Sequence, residues 1–429
     1  WPFWFYISIN IGAFISTLLT PWLLEWYGPH WAFGTPGVLM AIATFIFWMG
    51  RKTFIHIPPQ GIHFMKETFS REGLKAMAKL SIIFSFVAVF WALFDQTGSS
   101  WVIQAEDLNR YWLGIHWLPS QIQAINPIMI VILVPVFNFI IYPFLDKITR
   151  LTALHKVSIG LFIMVIGFSM VSILQQWIDQ GYEPSIGWQI VAYAILTSSE
   201  VMVSITCLEF AYTQAPKSMK SVIMAIFLMS VALGNYFTAG VNSFIQIPNQ
   251  SNSSVEDMQQ NIIDTALIRI KSNFIANKNV LVRTPDGNEL IKDLKDSWGS
   301  PLKYRLVNRN TFRITSLGMD QDYMTENDIV LICNINRPNK NKNFENKPYS
   351  WREKRIIELK GADGKLEVEK KRGGINEIEF HSATMIGGQT KLEGADYFWF
   401  FTKLMLATAI AFVFVTFLYK PKEYLHEEE

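Results

Sequence analysis

Apolar and polar residues are segregated along this chain in long blocks. Eight mostly apolar runs stand at approximately 3–24, 32–50, 78–96, 122–145, 157–174, 188–210, 221–245 and 397–419. All lie in the range of roughly 17–25 residues that lets an α-helix cross a hydrocarbon core. The pattern therefore predicts eight membrane spans. Pro127 and Pro135 fall inside the fourth run, which a helix bundle tolerates because neighbours satisfy the freed backbone groups. Aromatic rings crowd the ends (Trp22, Trp26, Trp31, Trp112, Trp117, Tyr397, Trp399), the place where such rings meet lipid headgroups.

Between the last two runs the periodicity changes. Ile262, Ile263, Ala266, Leu267 and Ile270 share one helical face within Val255–Asn273. Lys303–Val307, Thr311–Ser316 and Ile329–Ile335 alternate as strands do. Asn339–Asn346 reads as a polar linker, and 351–392 as further strands between glycine-rich turns. The fold class expected is an all-α polytopic membrane protein with an α+β soluble insertion at 246–396.

Charge sharpens the division. Of the chain's 74 charged residues, 44 lie within 246–396. The remainder is too poor in charge to clothe a water-soluble globule. A net charge of +2 gives no electrostatic case for nucleic acid. Cys207 and Cys333 lie in segments of opposite character and are not expected to pair. His381 and His426 stand alone, so no soluble-enzyme constellation is encoded. The chain begins with Trp1 inside a hydrophobic run, so its natural start is expected upstream.

Basic residues set the sidedness. Arg51, Lys52, Lys66, Arg71, Lys75 and Lys79 fill the 51–79 connection; Lys147, Arg150 and Lys156 fill the next of the same parity, and Lys217 and Lys220 a third. The alternate loops hold only Arg110. The positive-inside rule places the basic loops and the C-terminus in the cytoplasm and the insertion outside.

Ionisable residues within spans mark function by default. Glu200 sits near the midpoint of the 188–210 run, and Asp95 closes the 78–96 run. A carboxylate so placed can load and release a proton, which a proton-coupled carrier requires. Glu209 and Lys403 lie nearer span ends and can snorkel. Asn10, Asn126, Trp101 and Phe227 could complete an amphipathic cavity, although aromatic stripes are more often core.

The strings themselves resemble a known family. Phe5-Tyr6-Ile7-Ser8-Ile9-Asn10-Ile11-Gly12, Phe90-Trp91-Ala92-Leu93-Phe94-Asp95-Gln96-Thr97-Gly98-Ser99-Ser100-Trp101, Gln123–Pro127 and Glu200–Ser221 are similar to motifs of the proton-dependent oligopeptide transporters, a branch of the major facilitator superfamily. The resemblance numbers the eight spans as helices 5 to 12 of a twelve-helix fold. It implies the last two helices of the first bundle at 1–50, an inter-bundle linker at 51–77, and the second bundle at 78–245 plus 397–429. It further implies symport of di- and tripeptides with protons, no other cofactor, and residence in a bacterial inner membrane. Glu200 would hold the peptide's amino terminus beside Asn126, Asn10 would line the cavity, and Trp101, Phe227 and Ser230 would contact the peptide. Asp95 would serve the outer gate and proton coupling. Two readings stay open: the same fold carrying another small solute, and a receptor or scaffold acting through the insertion on a periplasmic partner. The chain departs from the family in lacking the E-x-x-E-R motif of the first helix and in placing an extracellular domain between the last two helices.

Residues 255–335 have a second resemblance. Asp296–Arg305, Phe312–Asp320 and Glu326–Ile329 look like the C-terminal half of major type II secretion pseudopilins. That resemblance implies calcium held by Asp320, Asp322 and Asp328, with 340–392 as a β-rich remainder.

Overall fold

The computed structural model describes residues 2–54, 64, 66, 68–148, 150–214, 219–250, 253–337, 348–373 and 377–419. Parts of the inter-bundle linker, the Asn339–Asn346 linker, residues 215–218 within one family motif and the C-terminal tail lie outside these residues. The membrane part runs α1 (Pro2–Trp26), α2 (Pro29–Met49), α3 (Arg71–Phe94), α4 (Ser100–Glu106), β1 (Tyr111–Trp112), β2 (Ile115–His116), α5 (Ile125–Val136), α6 (Tyr142–Ile148), α7 (Ala153–Asp179), α8 (Ile186–Glu200), α9 (Thr206–Thr213) and α10 (Lys220–Ile245). The insertion follows with β3 (Asn249–Gln250), α11 (Ser253–Ala276), α12 (Thr284–Ile291), β4 (Lys303–Asn308), β5 (Thr311–Ser316), β6 (Ile329–Asn336), α13 (Trp351–Lys360), α14 (Ala362–Gly373) and β7 (Glu379–Gly387). Helix α15 (Ala395–Leu418) closes the chain.

Among the described residues, seven helical stretches are long and apolar enough to cross a membrane. The remaining expected span, 3–24, folds as the 25-residue α1. Helix starts are written locally: Ser70 Oγ accepts from Gly73 N at 3.1 Å and Thr152 Oγ1 from His155 N at 3.3 Å, each satisfying a donor that the first turn leaves open. α7 packs against α8 and α15, and α3 against α10. The shared core is built of rings and branched chains such as Phe90, Phe168, Tyr193 and Phe401. α10 reaches α3 closely because Gly234 has no side chain: a Cβ there would strike Ala88 O and lie 2.8 Å from Ala92 N.

The α8 and α5 helices each widen into a π-helical turn, at Val201–Ile205 and Phe137–Ile141 respectively. Pro143 explains the second, since it lacks an N–H and crowds the carbonyl of Phe139 four residues back. Such widenings recur at functional sites.

In the insertion, five antiparallel strands pair in the order β3-β7-β6-β5-β4. α11 packs on this sheet through Ile263, Ala266, Leu267, Ile270 and Phe274. The helix expected at Val255–Asn273 and the three expected strands are present. The β-rich remainder expected at 340–392 is not. Trp351–Lys360 and Ala362–Gly373 are helices, and among the described residues of the segment only β7 is a strand. Ser350 and Glu353 form a reciprocal cap, with Glu353 N donating to Ser350 Oγ at 3.2 Å and Ser350 N donating to Glu353 Oε2 at 2.8 Å. Exposed Arg355–Glu358 and Lys365–Glu369 pairs at helical spacing support the two helices further.

The insertion is seated on one end of the helices. Arg309 pairs with Glu183, Arg283 Nη2 donates to Tyr182 Oη at 2.5 Å, and Asn308 Nδ2 donates to Asp107 Oδ1 at 3.0 Å. Asp179 Oδ2 accepts from Ala395 N at 2.8 Å, placing a carboxylate at the N-terminus of α15 where the helix dipole favours it. Arg313 grips Glu393 with two bonds of 2.5 Å, and Arg305 Nη1 lies 3.2 Å from the same carboxylate. Asp107, Tyr182 and Glu183 belong to the loops poor in Lys and Arg, so the insertion sits on the face opposite the basic loops.

Candidate functional site

The sequence placed Asn126 and Glu200 in separate spans, 74 positions apart. The fold brings them together. Asn126, in the first turn of α5, donates from Nδ2 to Glu200 Oε2 at 2.7 Å and to Thr197 Oγ1 at 3.1 Å. Thr197 donates in turn to Tyr193 O at 2.8 Å, and Tyr193 Oη to Thr97 O at 3.2 Å. Glu200 is the last residue before the π-helical turn, and that turn re-aims the helix at the carboxylate. Both Asn126 and Glu200 are half-buried as residues. Chemically this is a single carboxylate held by an amide that donates one bond. It keeps free acceptor capacity suited to an ammonium group.

Asp95 ends α3 and accepts from Asn235 Nδ2 at 2.7 Å. Asn235 was not singled out by the sequence; an Asn well inside the 221–245 apolar run was the available signal. Asn10 is the only buried side chain among those described in α1, at 8% exposure, an inversion of the usual order for an apolar helix. α1 packs against α5, the helix that carries Asn126.

The remaining expected contacts are core in this conformation. Trp101 is fully buried, with its ring centroid 4.8 Å from that of Tyr193 and 5.6 Å from that of Phe168. Phe227 stacks edge-on with Phe84 at 5.7 Å, and Ser230 Oγ donates to Phe227 O at 2.6 Å. Neither Trp101 nor Ser230 offers a free face to a ligand here.

The three carboxylates expected to hold calcium are spread apart. Asp320, Asp322 and Asp328 do not assemble into a three-carboxylate cluster, and no group of three metal-ligating side chains exists among the described residues. Asp328 is turned into the protein, accepting from Met324 N at 2.9 Å and Gln389 Nε2 at 3.1 Å. Asp320 lies outward and accepts from Asn327 Nδ2 at 2.9 Å and from Asp322 N at 3.4 Å.

A cleft of about 560 Å³ opens at the seam between the insertion and the helices, lined by Gln104, Asp107, Asp179, Arg305, Arg313 and Glu393 among others. None of the candidate transport residues lines it.

Similarity to known proteins agrees with the helix arrangement. The sequence profile of the POT family matches residues 3–72 and 62–259. "Peptide transporter 3" of Caenorhabditis elegans is 33% identical over 226 residues, 43% of this chain and 32% of that protein. Human "Solute carrier family 15 member 2" is 29% identical over 244 residues, 47% of this chain and 33% of that protein. Among solved structures, the POT family transporter PepTSo superposes with a TM-score of 0.52 at 31% identity, covering 57% of this chain and 62% of that one. An auto-inhibited POT family peptide transporter gives 0.50 at 29%, covering 61% and 63%. The chain thus spans about a third of the length of these curated relatives. With the family's profile matched over more than half of the chain, and the fold shared with its solved members, this chain belongs to the POT family of membrane transporters.

Proposed function

We propose that the protein takes part in proton-coupled symport of di- and tripeptides by alternating access, with Glu200 binding the peptide's amino terminus. The observation that carries this reading is the Asn126–Glu200 pair, beside a π-helical turn and on a helix against which α1 packs. An ammonium group brought to Glu200 would meet a carboxylate already oriented by one donor and keeping open acceptor sites. Asp95, held by Asn235 at the end of α3, supplies a second titrating group through which proton loading and peptide binding can be linked. Peptide transport by the relatives supports the substrate class.

We place the protein in a bacterial inner membrane with the insertion periplasmic. This placement follows the basic loops on the far face and the pseudopilin-like strings of the insertion.

Glu200→Gln tests the site. In the full-length carrier, free dipeptide should be taken up far better than its N-acetylated analogue, which has no ammonium group. Glu200→Gln should lose most free-dipeptide uptake and, with it, the discrimination between the two. An isosteric amide preserves shape, so membrane insertion should stay intact. If the variant still prefers the free amine, Glu200 is not the binding group.

A further inference from the structure

We propose that the insertion is a strap that holds the carrier's outer mouth closed, anchored on the second bundle and pinned to the first by Trp351. The proposal rests on the alternating-access reading above, in which the outer ends of the bundles must part.

The anchorage is one-sided. Arg283, Arg305, Arg309 and Asn308 of the insertion engage Tyr182, Glu393, Glu183 and Asp107. These partners lie at the outer ends of second-bundle helices or on the segment entering α15. Their number and complementarity make the insertion a rider on that bundle.

One arm crosses to the other bundle. The reciprocal Ser350–Glu353 cap fixes the first turn of α13, and this turn carries Trp351 onto the tight connection between α1 and α2. There Gly28 adopts φ +91°, a conformation that side chains rarely take, and a Cβ on it would lie 2.5 Å from both Cε2 and Nε1 of the indole. The ring therefore rests directly on the backbone at the outer end of α1. In the α13–α14 hairpin Val368 is buried, while Leu359 and Leu366 are exposed.

The same end of α1 is closed against the second bundle. Gln121 Nε2 donates to Leu18 O at 3.4 Å, and α1 packs on the Pro119–Ala124 turn. Trp351 and Gln121 thus grip α1 together in this outward-closed arrangement. Outward opening carries α1 away from both, and the indole contact is then lost. A contact made in only one state biases the equilibrium toward it by its own free energy, here about tenfold for a single aromatic anchor.

The test measures opening directly. In the full-length carrier with Cys207 and Cys333 replaced by Ala, Leu18→Cys reports exposure of the outer end of α1 to a membrane-impermeant maleimide. Trp351→Ala should raise the labelling rate about tenfold, and deletion of 349–373 should match it. Leu359→Ala, an exposed change on the same helix, should label at the parental rate. Parental labelling in both Trp351→Ala and the deletion overturns the strap. So does an equal rise in Leu359→Ala, which would assign the effect to loosening of the hairpin. Labelling needs no substrate, so the result stands apart from any failure of dipeptide uptake.

Discussion

Glu393→Gln isolates the joint between the insertion and the last membrane helix. Arg313 and Glu393 have side-chain exposures of 8% and 12%, and their two parallel bonds are each 2.5 Å. Burial alone would depress the Arg313 guanidinium, but its bonds to Glu393 and that carboxylate's charge hold it above the ordinary value. Glutamine keeps the shape and removes the charge. Arg313 would remain buried with an uncompensated charge, and breaking a buried pair in this way costs about 3–5 kcal/mol. At about 1.4 kcal/mol per tenfold, amides of β5 and β6 should exchange with solvent roughly a hundred- to several-thousandfold faster. Hydrogen-exchange mass spectrometry on detergent-purified protein reads this at the Phe312–Ile314 and Ile332 peptides. Replacing both partners by apolar residues, Arg313→Met with Glu393→Leu, should recover most of the protection, because the penalty lies in the orphaned charge. Unchanged exchange in Glu393→Gln, or a double variant as unprotected as the single one, would refute the reasoning.

Other expectations follow from single contacts. Gly234→Ala drives a methyl into the Ala88 carbonyl and should destabilise the α3–α10 packing by about 1–3 kcal/mol, seen as a lower midpoint of thermal aggregation in detergent. Burial raises the Asp328 carboxyl above its ordinary value of 3.8 despite the Met324 and Gln389 bonds. The folded insertion then binds that proton more tightly than the unfolded chain, so its stabilising contribution is full below 3.8 and is lost as pH rises through the folded value. Asp328→Asn should flatten that slope in a pH series of exchange measurements at β6. Asp95→Asn should abolish proton-driven accumulation while leaving downhill exchange measurable in proteoliposomes; equal loss of both would reduce Asp95 to a cap for α3.

The membrane helices were legible because each contains a near-unbroken apolar run. The Asn126–Glu200 contact was half legible: a carboxylate in mid-span announces itself, but the π-helical turn that aims it depends on backbone packing. Trp101 shows why aromatic motifs mislead. The ring suited a ligand on chemistry alone, yet the space between Tyr193 and Phe168 claims it entirely. The α13–α14 hairpin was misread because its hydrophobic positions are sparse and glycines interrupt it. The Ser350-x-x-Glu353 cap was written in the sequence and would have announced a helix. Asp320, Asp322 and Asp328 are close in number, but the turn between them sends Asp328 inward and Asp320 outward.

The pairing of β3 with β7 has a further consequence. β3 directly follows α10, β7 directly precedes α15, and the two are hydrogen-bonded at Asn249–Gly387 and Gln250–Ile386. Ile247 N to Gln389 O at 2.9 Å and Lys391 N to Ile245 O at 2.8 Å carry the ladder down to the membrane surface. Seen from the bundle, the departing and returning chain form the stem of a hairpin, and the whole folded insertion is the loop at its tip. The final two helices are therefore spaced by a two-stranded stem whose width does not depend on what it carries. A domain joined through adjacent ends in this way can be exchanged for a short turn, or for another domain, without asking either helix to move.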